Sequence, residues 1–274
     1  MLLGIIIAGA LLITALSVFV FELIPFAFLS CVGVFALSFV GLLLLYLLGM
    51  ALLSLFVDKK PIEKEYPLCR SSIGALAGFV MDLLGVHFHA HGLEKLPEEE
   101  RFLMVCNHRG AFDPISIMAR LQKYCISCVS KPSNMKIPVL ARLAHGMGYL
   151  AIDRENDRNA LKTVLQAADY LKRNVCSMCI YPEGTRSRDG KLLPFHAGSF
   201  KIAQRGNAPL AIASISGTEK VFRNFPFRPT HVSFRILETL PAEKVKAMST
   251  QELSDYSRSL IEKSLSDESR EAAV

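Results

Sequence analysis

Over its first 57 residues the chain carries one charged side chain, Glu22, whereas charges are frequent from there on. So sharp a boundary dictates two environments for one polypeptide. Met1 to Phe21 and Phe26 to Val57 are uncharged runs. At 1.5 Å per residue each is long enough to cross a hydrocarbon core of about 30 Å. Glu22 and Pro25 mark the break between them, and Gly33, Gly41 and Gly49 allow close helix packing in the second. A cleaved signal peptide fits the first run poorly, because no Lys or Arg precedes it and no small-residue cleavage site follows it. Lys59, Lys60, Lys64 and Arg70 follow the second run, and a basic flank marks the cytoplasmic side. The expectation is an integral membrane protein with a transmembrane helical hairpin at 1–57 and a basic linker with a membrane-proximal amphipathic helix at 58–86. Its charged remainder then lies on the cytoplasmic face of the lipid bilayer.

Without the hairpin and its one Glu, 31 basic residues stand against 24 acidic ones. A basic domain tethered to a membrane suits anionic lipid and acidic ligands. Nucleic acid is the other usual partner of a basic domain, but the chain has no aromatic-interleaved basic stretch and no Trp, so none is expected. Two C-x-x-C pairs, Cys125/Cys128 and Cys176/Cys179, fall in apolar runs that read as strands. Residues three apart on a strand face opposite ways, so each pair reads as core and no metal or cofactor site is expected. His87, His89 and His91 share one face of a strand whose other face carries Phe88 and Ala90, which makes the histidines its solvent side.

Ser71 to Val86 reads as an amphipathic helix, either lying on the bilayer or simply connecting. Beyond it, strands at Phe102–Cys106, Tyr124–Ser130, Tyr149–Ile152, Cys176–Tyr181, Pro209–Ile215 and His231–Leu237 alternate with helical patterns. Asp113-Pro114 reads as the start of one helix, with Asp113 as N-cap, and Asp157 as the cap of the next. This alternation points to an α/β domain over 87–245 with a mixed, mostly parallel sheet flanked by helices. Ser249-Thr250-Gln251-Glu252 is a capping box for a C-terminal helix to about Leu265, followed by a polar tail, within 246–274.

Two motifs leave the ends of these strands, where open α/β sheets hold ligands. The first is Asn107-His108-Arg109-Gly110-Ala111-Phe112-Asp113. A neutral His108 can take a proton from an attacking hydroxyl, with Asp113 fixing its tautomer; alternatively, Asp113 only caps its helix. The second is Glu183-Gly184-Thr185-Arg186. Arg186 offers a planar fork for phosphate, Gly184 admits close backbone approach, and Glu183 is placed to orient an Arg or a hydroxyl. Arg154 is a further cation leaving a strand. Neither G-x-G-x-x-G nor a Walker sequence is present.

At these residues, from about His87 to Leu237, the chain resembles the glycerolipid acyltransferase family, most of all its lysophosphatidate acyltransferases. The family's His-x4-Asp motif matches His108 and Asp113. Its second block matches Lys131, Pro138 and Gly148 to Arg154, its Glu-Gly-Thr-Arg block matches Glu183 to Arg186, and its final Pro-containing strand matches Pro209 to Ile215. The resemblance implies that His108 is the base and Asp113 its partner, and that Lys131, Arg154, Glu183, Gly184, Thr185 and Arg186 hold the acceptor's phosphate. It implies an acyl chain passed from acyl-CoA or acyl carrier protein to the 2-hydroxyl of lysophosphatidate, giving phosphatidate without a cofactor. Two positions depart from the pattern: Arg109-Gly110 replaces the usual Gln-Ser, and His196 stands where many members have Lys. Glycerol 3-phosphate or another lysophospholipid is the alternative acceptor. A hydrolase of thioesters or phosphate esters and a non-catalytic lipid-binding scaffold are alternatives of other classes.

Overall fold

The computed structural model describes residues 1–21, 27–58, 60–132, 136–153, 156–187 and 191–271. The expected break at Glu22 and Pro25, and Lys59 and Arg154, therefore lie outside the described residues. In chain order, α1 (Leu2–Phe21) and α2 (Ala27–Leu55) precede α3 (Pro67–Leu83) and β1 (Val86–His91). Then come β2 (Leu103–Cys106), α4 (Phe112–Arg120), β3 (Ile126–Ser130), α5 (Pro138–Gly146), β4 (Leu150–Ala151), α6 (Asp157–Lys172) and β5 (Ser177–Ile180). The chain ends with α7 (Lys201–Gly206), β6 (Leu210–Ser216), α8 (Val221–Asn224), β7 (Thr230–Leu240), α9 (Ala242–Ala247) and α10 (Thr250–Glu271).

The strands form one seven-stranded sheet in the order β1-β7-β6-β2-β5-β3-β4. All neighbours are parallel except β6 and β7. The sheet is thus mixed and mostly parallel, with helices on both faces, as the alternating pattern predicts. β2 and β5 are buried at every position, which follows from their sequences, Leu-Met-Val-Cys and Ser-Met-Cys-Ile, apolar but for Ser177. One core lies beneath α3, α4 and α5 and includes Met104, Cys106, Ile117 and Phe234; the other, on the opposite face, includes Leu103, Val105, Tyr170, Phe200 and Ile261. Each such side chain stabilises the fold by about 1.5–3 kcal/mol on burial.

Because β7 runs against β6, the starts of β1 and β7 share a sheet edge with the ends of β2, β6, β5, β3 and β4. The hairpin meets the domain along α3. Tyr46 donates to the Ser72 carbonyl at 2.7 Å, and Phe39 packs on Phe79 at 6.3 Å between centroids, so α2 runs antiparallel to α3. At the far end of α3 the Met1 ammonium lies 3.5 Å from Asp82, and Leu2 and Ile6 pack on Phe79. α1 and α2 pack against each other and are both long and apolar enough to cross a membrane. They leave the domain past the C-terminus of α3, which leads through Gly85 into the start of β1. The hairpin therefore projects from the edge where β2 and β5 end.

The sequence places several boundaries differently. α3 begins at Pro67, which suits a first helical position, and packs between the hairpin, α4 and α5. α5 has no counterpart in the sequence-based expectation. Asn156, not Asp157, caps α6, accepting from Asn159 N at 3.1 Å. The box at Ser249 and Glu252 closes reciprocally, at 2.7 and 3.2 Å, but α10 continues past Leu265 to Glu271, and in that extension Glu268 accepts from the Ser216 hydroxyl at 2.7 Å. His87, His89 and His91 face solvent, as the strand period requires.

Candidate active site

β2 ends at Cys106, and Asn107 then ties the strand end to β6. Its amide donates to the Ile215 carbonyl at 2.9 Å and accepts from Ile215 N at 2.8 Å. This two-way clamp, wholly buried, fixes where the next residue points. That residue is His108. Its Nδ1 lies 2.7 Å from Asp113 Oδ2, and its side chain is 19% exposed, so the ring is held on one side and reachable on the other. Tyr181 stacks on the imidazole at 4.3 Å and 20°.

Asp113 is fully buried. Its Oδ2 also accepts from the backbone N–H groups of Arg109 at 2.7 Å and Gly110 at 2.9 Å, while Oδ1 accepts from the Thr218 hydroxyl. With Oδ2 already accepting from two backbone N–H groups, the histidine facing it takes the donor role. The hydrogen on His108 is thereby directed to Nδ1, leaving Nε2 with the lone pair. The expectation that Asp113 caps a helix is corrected here. α4 starts at Phe112 with Ala111 at the N-cap position, so Asp113 lies within the first turn. It folds back onto the two residues before the helix and onto the histidine, which use up its acceptor capacity.

The second motif meets the first directly. Glu183, buried beyond β5, accepts from His108 N at 2.6 Å and from Leu193 N at 2.9 Å. Burial pushes its carboxyl above the usual range, and the two backbone donors pull partly the other way. Its sequence-based role as orienter of an Arg or hydroxyl is not what the described contacts show; it braces the His108 backbone instead. Gly184 takes φ +75°, and Ser187 N donates to the His108 carbonyl at 3.0 Å, so the 183–187 segment lies alongside the histidine. Thr185 and Arg186 are exposed within it, and Lys131 is exposed just past the end of β3 on the same edge. Nearby, His196 N donates to the Pro182 carbonyl at 2.9 Å.

Three contributors escape a reading of the sequence. Tyr181 lies two residues before a recognised block, so its position is a usable signal. Asn107 opens the first motif but shows its clamp only once β6 is placed. Thr218 is 105 residues from Asp113 and carries no local signal. It sits after Gly217, whose φ of +89° turns the chain out of β6, and Glu219 beside it pairs with Arg109 at 3.3 Å. Of the cysteines, Cys128 and Cys179 are register partners on adjacent strands, and both are buried.

Residues 87–216 match the acyltransferase family model. The protein acl-2 of Caenorhabditis elegans, named as a 1-acyl-sn-glycerol-3-phosphate acyltransferase, is 29% identical over 184 residues, 65% of this chain and 64% of its own length. The 1-acyl-sn-glycerol-3-phosphate acyltransferase of Escherichia coli is 26% identical over 206 residues, 74% of this chain and 82% of that one. The crystal structure of PlsC, the 1-acyl-sn-glycerophosphate acyltransferase of Thermotoga maritima, shares the fold with a TM-score of 0.61 at 24% identity. That match covers 72% of this chain and 78% of the other.

Proposed function

Because the chain carries an acyltransferase-family domain at residues 87–216, we propose that it acylates the 2-hydroxyl of lysophosphatidate to give phosphatidate, as a step in phospholipid biosynthesis. The observation that carries the reading is the His108–Asp113 pair, with its buried acceptor and its one reachable ring nitrogen. His108 Nε2 removes the proton from the acceptor hydroxyl as the oxygen attacks the thioester carbonyl. The tetrahedral intermediate then collapses, the C–S bond breaks, and the thiolate takes the proton back from the imidazolium. Asp113 stabilises that imidazolium while it exists. No group is oxidised or reduced, and the cycle needs no cofactor.

Arg186, Lys131 and Arg154 would hold the acceptor's phosphate, Arg through its bidentate fork and Lys as a point charge. Gly184 and Thr185 would shape the same pocket, while Glu183 would serve it from below by fixing the His108 backbone. The donor is acyl-CoA or acyl carrier protein. The enzyme is held in the bilayer by α1 and α2, with its domain on the cytoplasmic face, where the basic residues after α2 favour it.

Purified protein offered labelled donor with lysophosphatidate, glycerol 3-phosphate or another lysophospholipid tests the acceptor, and the expected product is phosphatidate from the first. His108→Ala is expected to lower that rate on the order of 10² to 10⁴-fold. Full activity in that variant would refute the proposed mechanism.

A further inference from the structure

Thr218 and the residues after it form a loop between β6 and β7 that the proposed chemistry uses only at its root. Residues 222–229 read Phe-Arg-Asn-Phe-Pro-Phe-Arg-Pro. Phe222 is 73% exposed, Phe225 43% and Phe227 91%, and Lys220, Arg223 and Arg228 are exposed between and beside them. Scattered apolar residues on a surface need no explanation, but three phenylalanines within six residues form a patch. Basic side chains interleave it throughout. Aromatic rings with flanking cations suit the boundary between acyl chains and headgroups, where the rings leave water and the cations meet lipid phosphate.

The loop is also in the right place. Its root touches Asp113 through Thr218, and Phe222 packs edge-on against Phe112 at 5.1 Å between centroids. Its far end returns to the turn between α3 and β1, three residues past the Asp82 that Met1 meets: Thr230 N donates to the Gly85 carbonyl at 3.0 Å. α1 and α2 leave the domain from this same sheet edge. A membrane holding the hairpin thus lies on the side to which the loop is exposed.

We propose that the β6–β7 loop, residues 218–229, docks on the surface of an anionic bilayer, with Phe222, Phe225 and Phe227 at the acyl–headgroup boundary and Lys220, Arg223 and Arg228 among the phosphates. This rests on the membrane-bound reading above and adds a second, peripheral contact beside the candidate base. Docked there, the loop sets the height of His108 above the lipid surface. An acceptor can then reach the base with its acyl chain still in the bilayer.

The chain contains no Trp, so Phe227→Trp introduces a single reporter. The full-length variant is reconstituted into phosphatidylcholine vesicles with and without phosphatidylglycerol, and with brominated acyl chains. The expected result is a blue-shifted emission, quenched by the brominated lipid and shielded from aqueous iodide, more so when phosphatidylglycerol is present and less so at high salt. Ser259→Trp, exposed on α10 across the sheet, is expected to show neither effect. Water-like emission from the Phe227→Trp variant overturns the proposal. A blue shift that brominated lipid does not quench assigns the patch to a second copy or another protein and overturns it as well. This readout is independent of turnover, so it can fail while the proposed reaction stands. In a second measurement, Phe225→Ser with Phe227→Ser is expected to raise KM for a vesicle-borne acceptor about tenfold or more. kcat, and KM for a water-soluble short-chain acceptor, should stay unchanged; an equal change for both acceptors overturns the role in docking.

Discussion

Replacing Asp113 with Asn separates the charge of this carboxylate from its hydrogen bonds. Oδ2 accepts from His108 Nδ1 and from the N–H groups of Arg109 and Gly110, and Oδ1 accepts from Thr218. An amide nitrogen at the Oδ2 position would meet three donors, so the carbonyl oxygen of Asn must take that place. The amide then faces Thr218, whose hydroxyl can turn to accept. The histidine keeps its tautomer and the backbone keeps its shape, but the negative charge is gone. Opposite unit charges 4 Å apart at an effective dielectric of 20 attract by about 4 kcal/mol, and this is a ceiling because the Asn dipole recovers part of it. With 1.36 kcal/mol per decade, kcat should fall about 10²- to 10³-fold while KM for the acceptor stays within about threefold. Steady-state release of free thiol from acyl-CoA measures both, alongside a thermal melt to show that the variant is folded. A folded Asp113→Asn enzyme with wild-type kcat, or one impaired in KM alone, refutes the idea that this carboxylate stabilises a forming imidazolium.

Other perturbations probe the supports of the site. Glu183→Gln leaves one oxygen for two backbone donors, so activity should fall because the His108 backbone loosens, at a stability cost of about 1–3 kcal/mol. The raised pKa of Glu183 means that ionisation costs the folded state. Its contribution is therefore most favourable below the ordinary carboxylate pKa and is lost as pH rises through the raised native value. Urea midpoints should accordingly show wild type losing stability relative to Glu183→Gln between acid and neutral pH, and a constant difference counts against the assignment. Gly217→Ala adds a Cβ that would lie 2.2 Å from the His231 carbonyl oxygen at φ +89°. It is expected to lower both Tm and kcat, by shifting Thr218 off Asp113; a fully active, fully stable variant contradicts this. Burial pushes the Cys69 thiol up to about 11 and Cys176 up to about 12. Both should resist iodoacetamide in the folded protein at pH 8 and react once it is unfolded, as mass spectrometry of the labelled peptides will show.

Much of the fold is legible in the sequence because its signals are local and strong. The uncharged runs, the mainly apolar strands β2 and β5, and the two motifs at strand ends can each be seen within a short stretch of sequence. What local pattern misses is decided at long range. Asp113 beside Pro114 pairs with His108 as the motif suggests but also looks like a cap, since nothing nearby reveals that Arg109, Gly110 and Thr218 claim its oxygens too. Glu183 looks like a ligand-facing acid until β5 is set beside β2, where it braces the His108 backbone. The reversal of β7 against β6 carries no periodicity signal of its own, and it brings the start of β1 to the same edge as His108. The short helix α5, with its small apolar stripe, is masked by the loop-like residues before it.

The carboxylate of Asp113 is gripped largely by main chain, and this bears on which side chains the loop before α4 can tolerate. Arg109 and Gly110 supply N–H groups, which every residue but proline possesses, so the side chain at 109 is released from the task of holding the base. Position 110 is constrained in size alone, since a Cβ there would stand 3.1 Å from Thr218. The departure from Gln-Ser at these two positions thus leaves the pair beneath undisturbed. Position 109 can therefore change its side chain by mutation while the donors that grip Asp113 stay in place.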